Sequence, residues 1–209
     1  MHFDTEAKNW DNDPKKTERA VAFAKEITNY IKPIENWNAL EFGCGTGLLS
    51  FQLKNDFNTI TLTDTSEGMI NVLKEKIEKS NITNFKPLQI DLLEYNINIG
   101  TFNVIYTLMT LHHITNLNKI LNIFYSLIKI DGYLCIADLV KEDGSFHYEY
   151  PDFDGYNGFD KNELSEILFK NGFEVEYYNI CFEIEKELEN KTYPLFLMIC
   201  KKTHNTVLL

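Results

Sequence analysis

Apolar positions divide the chain into alternating helix and strand patterns. From Lys15 to Lys32 they fall at Ala20, Phe23, Ala24, Ile27 and Ile31, one face of a helix that Pro33 closes. Asn38 to Phe42 is a short buried strand that runs into a glycine cluster, and Thr59 to Thr63 alternates as a second strand. Met69, Ile70, Leu73 and Ile77 mark an amphipathic helix with Ser66 as its N-cap. Phe85 to Ile90 reads as a third strand, with Pro87 suited to an edge. Phe102 to Tyr106 is a fourth. Leu117, Ile120, Leu121, Phe124 and Ile128 form a helical stripe, Asp131-Gly132 a turn, and Tyr133 to Ala137 a fifth strand. Asp160 with Glu163 resembles a capping box ahead of Leu164, Ile167 and Leu168, and Gly172 stops that helix. Glu174 to Ile180 and Pro194 to Cys200 are two further strands.

Strands that alternate with helices predict an α/β fold, a mostly parallel sheet covered on both faces. The last two strands are joined by Cys181 to Tyr193, a short charged stretch without a helical stripe. It predicts a hairpin return and an antiparallel final strand. No repeat or linker interrupts residues 1–209, so the chain reads as a single domain. With 44% hydrophobic residues it can build a full core. Its net charge of -11 argues against a nucleic-acid partner. No apolar run is long enough to span a membrane, and the polar start Met1-His2-Phe3-Asp4 is unlike a leader. Cys44, Cys135, Cys181 and Cys200 have no metal or disulfide spacing, which fits reduced thiols in a cytoplasmic protein.

The chemistry concentrates after the strands, where sheets of this kind bind ligands. Gly43-Cys44-Gly45-Thr46-Gly47 follows the first strand. Its third glycine is out of register for a dinucleotide fingerprint, and the Gly-Lys-Ser/Thr ending of a Walker loop is absent. Glu41 would repel a pyrophosphate and favour a ligand with an ammonium or a sulfonium. S-adenosylmethionine (SAM) carries both, with a carboxylate for the loop amides. Asp64 ends the second strand, placed to accept ribose hydroxyls, and Asp91 ends the third, within reach of an adenine amine. Leu92 and Met69 can pack on the adenine faces.

These residues resemble the class I SAM-dependent methyltransferases, in particular the small-molecule branch similar to ubiquinone and menaquinone methyltransferases (the type 11 group). Leu40 to Gly47 resembles the first motif of that family, Thr63-Asp64-Thr65-Ser66-Glu67-Gly68-Met69 the second, and Ile90-Asp91-Leu92 the third. Phe102 to Ile105, through Leu111-His112-His113-Ile114, resembles its fourth strand and following segment. Ile130-Asp131-Gly132-Tyr133 stands where the family has Lys-Pro-Gly-Gly, a change in a turn outside the cofactor site. The resemblance implies a Rossmann-like seven-stranded sheet of order 3-2-1-4-5-7-6 with strand seven antiparallel. It implies that Glu41, Gly43, Cys44, Gly45 and Gly47 hold the methionine part of SAM, Asp64 the ribose, and Asp91 with Leu92 the adenine, with Thr65 and Met69 counted among the cofactor-binding residues. Thr107 and Leu108 would lie under the transferred methyl.

Methyl transfer needs alignment, and an acceptor that must lose a proton needs a base. His112 and His113 are the candidates, with capping or packing of their turn as the alternative for each. Two segments remain for the acceptor. One is the N-terminal stretch 1–14 with Phe3, Ala7, Trp10 and Asp11, which resembles the aromatic lid of the family. The other is the insertion 140–159, whose aromatics include His147, Tyr148 and Tyr156. Aromatic and acidic side chains there suit a small, partly apolar acceptor, an amine among them. The group His147, Glu149, Asp152 and Asp154 lacks helical ligand spacing, so no metal is assigned. The expected activity is methyl transfer from SAM to a small molecule. Its alternatives are a SAM-binding or partner-binding protein of the same fold without turnover and, against the glycine register and Glu41, a nicotinamide reductase. The acceptor and the oligomeric state are not written in the sequence.

Overall fold

A computed structural model describes residues 2–94, 98–186 and 190–203. Seven strands form one sheet in the order β3-β2-β1-β4-β5-β7-β6. They are β1 (Asn38–Phe42), β2 (Thr59–Asp64), β3 (Phe85–Gln89), β4 (Phe102–Leu108), β5 (Ile128–Leu139), β6 (Phe173–Lys186) and β7 (Lys191–Lys202). β1 to β5 pair in parallel, and β7 is antiparallel to both β5 and β6. Order and directions are those the resemblance implied.

Each strand sends alternate side chains to opposite faces. Ala39, Val104, Cys135 and Leu197 pack under α2 (Pro14–Ile31), α3 (Leu48–Leu53) and α4 (Glu67–Lys79). Leu40, Ile105, Ile136 and Met198 pack under α5 (Leu117–Leu127) and α6 (Lys161–Lys170). A sheet buried on both faces needs nearly continuous apolar strands, which is why β1 and β4 lack a polar alternation. Cys44, Cys135 and Cys200 are buried and Cys181 half-buried, and all four are free thiols. Among the described residues no helix is long and apolar enough to cross a membrane.

The helix ends follow the local sequence. Asp13 caps α2 by accepting from the Lys15 amide at 2.9 Å, with Pro14 in the first turn, and Lys32 ends it in the left-handed region ahead of Pro33. Ser66 caps α4 as expected, accepting from the Met69 amide at 3.1 Å. Asp160 caps α6 through the Asn162 and Glu163 amides, but the Glu163 carboxylate pairs with Lys141 at 2.9 Å. The reciprocal half of the capping box is therefore replaced by an ion pair.

Four boundaries differ from the sequence reading. Ile128 opens β5 instead of closing α5. Asp131, at φ 61°, and a register shift between Phe102 and Val104 absorb the turn within the strand. β4 continues to Leu108 and takes Thr107 with it. β6 and β7 reach toward each other as one long hairpin, of which residues 187–189 lie outside the described residues. The N-terminal segment is ordered, with α1 (His2–Glu6) running into a 3-10 turn over Ala7–Asn12. Residue 1 lies outside the described residues.

Candidate functional site

The glycine loop turns at the carboxyl end of β1. Gly43, Gly45 and Gly47 all have positive φ. The sheet holds the loop, with the Cys44 amide donating to the Thr63 carbonyl at 2.9 Å. Two glycines answer different needs. A Cβ on Gly43 would stand 2.1 Å from the Thr110 side chain, whose hydroxyl donates to the Gly43 carbonyl. A Cβ on Gly45 would meet nothing closer than 3.9 Å, where the Met69 sulfur and the Trp10 indole nitrogen flank it. Gly43 thus serves protein packing, whereas Gly45 leaves a cradle between Met69 and Trp10 that a ligand can approach.

Asp64 faces this cradle. One carboxylate oxygen accepts from the Gly45 amide at 2.7 Å and the other from the Ser66 amide at 2.9 Å. Burial raises its pKa, and these amides oppose the shift. A lone pair remains for a hydroxyl. Met69 is buried, Thr65 exposed, and Asp91, half-buried, accepts from the Leu93 amide at 2.8 Å beside buried Leu92.

Glu41 lies deeper than its assigned role suggested. It is 2% exposed and binds the Ser50 hydroxyl of α3 through a short hydrogen bond. Ser50 lies 2.6 Å from the Tyr106 hydroxyl. Burial pushes its carboxyl up to about 8, against the pull of Ser50. At neutral pH it is largely protonated until a cation arrives. The same burial raises the neighbouring Cys44 thiol.

The N-terminal segment covers the loop. The Asp4 carboxylate accepts from the Ser66 hydroxyl at 2.6 Å and the Gly68 amide at 3.0 Å, and both bonds hold its pKa low. A negative group at this end of α4 also meets the positive pole of the helix. Asp11 accepts from the Thr46 hydroxyl at 2.5 Å and pairs with Lys76 at 2.5 Å. Trp10 sits against Gly45, with Lys16 over its ring at 3.6 Å. Phe3 makes edge contacts with Trp10 and His113. A continuous aromatic wall therefore links the glycine loop to the histidines.

His112 and His113 form a 3-10 turn after β4 and meet His147 from the insertion. Asp138 of β5 holds His112 with Nδ1 at 2.6 Å, and its other oxygen accepts the His112 amide at 3.2 Å. Phe153 stacks on His147 at 3.7 Å between centroids. Burial lowers His113 to about 3 and His147 to about 4, so both are neutral imidazoles. The insertion is fastened at its base by the bridge between Val140 and Phe159 and to the histidine turn by Tyr156, whose amide donates to the His112 carbonyl at 2.7 Å. The β6–β7 hairpin supports it from outside through Tyr193 to Ser145 at 2.8 Å and Lys186 to the Phe146 carbonyl at 2.6 Å.

Two assigned residues sit elsewhere than expected. Tyr148 is 81% exposed, turned to solvent while His147 turns in. Thr107 is buried inside β4, its hydroxyl without a hydrogen-bond partner, so it belongs to the sheet and not to the loop beyond. Glu149, Asp152 and Asp154 are exposed. Sequence reasoning missed Asp138 and Asp4. The only signal for Asp138 is an acid inside the apolar run Leu134 to Leu139.

Comparison with known proteins agrees with this geometry. The family model described as "Methyltransferase domain" matches residues 34–192, about three quarters of the chain. An uncharacterized methyltransferase of Schizosaccharomyces pombe is 35% identical over 128 residues, which cover 58% of this chain and 45% of that protein. A demethylmenaquinone methyltransferase of Bacteroides fragilis is 25% identical over 125 residues, which cover 58% of this chain and 51% of that protein. The chain thus spans about half the length of the curated relatives it matches. Among solved structures, Haemonchus contortus phosphoethanolamine N-methyltransferase 2 in complex with S-adenosyl-L-methionine is similar in fold. It has a TM-score of 0.71 and 16% identity, over 90% of this chain and 53% of that one. The chain belongs to the methyltransferase-domain family and has the class I, SAM-dependent fold.

Proposed function

We propose that this methyltransferase-domain protein transfers a methyl group from SAM to a small-molecule acceptor, and that residues 1–209 act as one unit in doing so. The observation that carries the reading is the cradle at Gly45, open between Met69 and Trp10 and faced by Asp64. Bound SAM supplies a methyl group activated by its cationic sulfur. Asp64 accepts hydrogen bonds from the ribose hydroxyls, beside the loop that approaches the rest of the cofactor at Gly45. Glu41, ionised by the incoming ammonium, balances its charge. The segment 1–14 closes over the cofactor through Asp4, Trp10 and Asp11 and excludes water. The acceptor enters between this lid and the insertion, where His112, His113 and His147 converge and Phe153 and Phe3 shape an apolar wall. Alignment of acceptor and methyl then supplies much of the rate.

Calorimetry with SAM and with its demethylated product, followed by transfer of labelled methyl from SAM to a metabolite extract, tests this. The expected result is binding of both and label in an extractable small molecule. In Gly45→Ala the new Cβ fills the cradle, so SAM affinity should fall at least about tenfold. The positive φ adds about 1–2 kcal/mol of strain. Tight SAM binding without transfer to any extract would favour the non-catalytic alternative. No binding would refute both.

A further inference from the structure

Three histidines from two separate segments converge at the acceptor end of the site. One ring nitrogen from each of His112, His113 and His147 lies within 4.8 Å of the others. Three features mark this group as more than packing. His147 is 8% exposed, and its Nδ1 is buried without a hydrogen-bond partner among the described residues. Leaving such an atom unpaired costs about 1–3 kcal/mol, which a ligand at the cluster would offset. Asp138, itself fully buried, fixes the His112 ring through Nδ1 and leaves Nε2 for a ligand. A carboxylate behind a ligating histidine orients the ring and raises its basicity. Lastly, the rings are braced by aromatic neighbours, His147 by the stacked Phe153, which also touches His112 and His113, and His113 by Phe3.

We infer that His112, His113 and His147 bind one divalent transition-metal ion of the zinc class, with its open position facing the methyl acceptor. The inference rests on the proposed methyl transfer only for the role of the ion, not for its binding. Tetrahedral coordination with bonds of about 2.0–2.1 Å requires the three nitrogens to draw together to about 3.3 Å. Neutral imidazoles with an oriented carboxylate behind them suit zinc, cobalt or nickel and not magnesium. Charged groups acting on the cluster are Asp138 of β5 and Lys186 of β6, one anion and one cation. The fourth ligand that best balances an added dication is therefore an anion. An acceptor thiol or hydroxyl that coordinates there gives its proton to solvent and keeps its lone pairs on sulfur or oxygen for the methyl carbon. This favours thiol or hydroxyl acceptors over the amine that the sequence suggested.

The test uses the full chain after chelation and dialysis, titrated with zinc chloride by calorimetry and with cobalt(II) by visible absorption. SAM binding is measured on the same samples. One equivalent of zinc, and cobalt bands of tetrahedral coordination, are expected, with no response to magnesium. His147→Phe keeps the ring stacked on Phe153 and removes both nitrogens. It should lose at least about a hundredfold in zinc affinity, and Asp138→Asn about ten- to a hundredfold. Circular dichroism identifies a variant that fails to fold, in which case His113→Phe replaces it. Absence of stoichiometric zinc binding, or binding that His147→Phe and His113→Phe leave intact, overturns the inference. If SAM binds while zinc does not, only the metal site fails. If zinc binds while SAM does not, the site stands and the methyl-transfer reading fails.

Discussion

A buried carboxyl whose partner is a hydroxyl has a pH signature. Glu41 titrates near 8 in the folded chain, against an ordinary carboxyl value of 4.5. Between these values the folded state keeps a proton that the unfolded state releases, so its contribution to stability falls as pH rises. The slope approaches about 1.4 kcal/mol per pH unit and ends near pH 8. Glu41→Gln, which retains a hydrogen-bonding group, should flatten the decline of melting temperature between pH 5 and 8. A mutant curve parallel to the wild type would show that Glu41 ionises freely. At the same scale Gly43 and Gly45 are separable. A Cβ at 43 drives into Thr110, so Gly43→Ala should depress melting strongly, whereas Gly45→Ala acts mainly on ligand affinity. The sequence showed both glycines but not this difference, because Thr110 reaches the loop from 67 residues away.

At the level of elements, the lid is fastened by side chains and not by a strand. Asp4 bridges α1 to the first turn of α4, and Asp11 ties the following turn to Thr46 and Lys76. Asp4→Ala removes one fastening and leaves the sheet untouched. It should raise the SAM dissociation rate about three- to tenfold in stopped-flow measurement, with far-UV circular dichroism unchanged. An unchanged rate would mean that the lid does not gate release. Most elements were legible in the periodicity, since buried helices and strands must carry apolar stripes. The glycine loop, Asp64 and the Ser66 cap were local signals and stand where they were read. What stayed hidden was long-range. Asp138 meets His112 only because β5 lies beside β4, and His147 reaches them only because the insertion folds back over the strand ends. The length of β6 was hidden as well. Glu174 to Ile180 reads as a strand, but its continuation through Glu183-Ile184-Glu185-Lys186 resembles a charged loop until β7 is found opposite.

Across the whole molecule, two helical layers and the sheet leave the carboxyl strand ends as the ground where the proposed cofactor and acceptor sites meet. One end is walled by the N-terminal segment. The other is walled by an insertion that the β6–β7 hairpin props. Nearly all chemistry therefore lies at one rim of the sheet, while the long hairpin marks its outermost strand. Among the described residues β6 has β7 on one side and no strand on the other. Its exposed positions include Glu174, Glu176, Glu183 and Glu185. An open strand edge is a template for intermolecular pairing, and like charges along it repel a second copy. The row of glutamates makes β6 a guarded border against aggregation. Replacing the four by Gln should produce concentration-dependent light scattering at pH 7. The parent should scatter only as pH falls toward its isoelectric point near 4.9, where the chain as a whole loses its net charge.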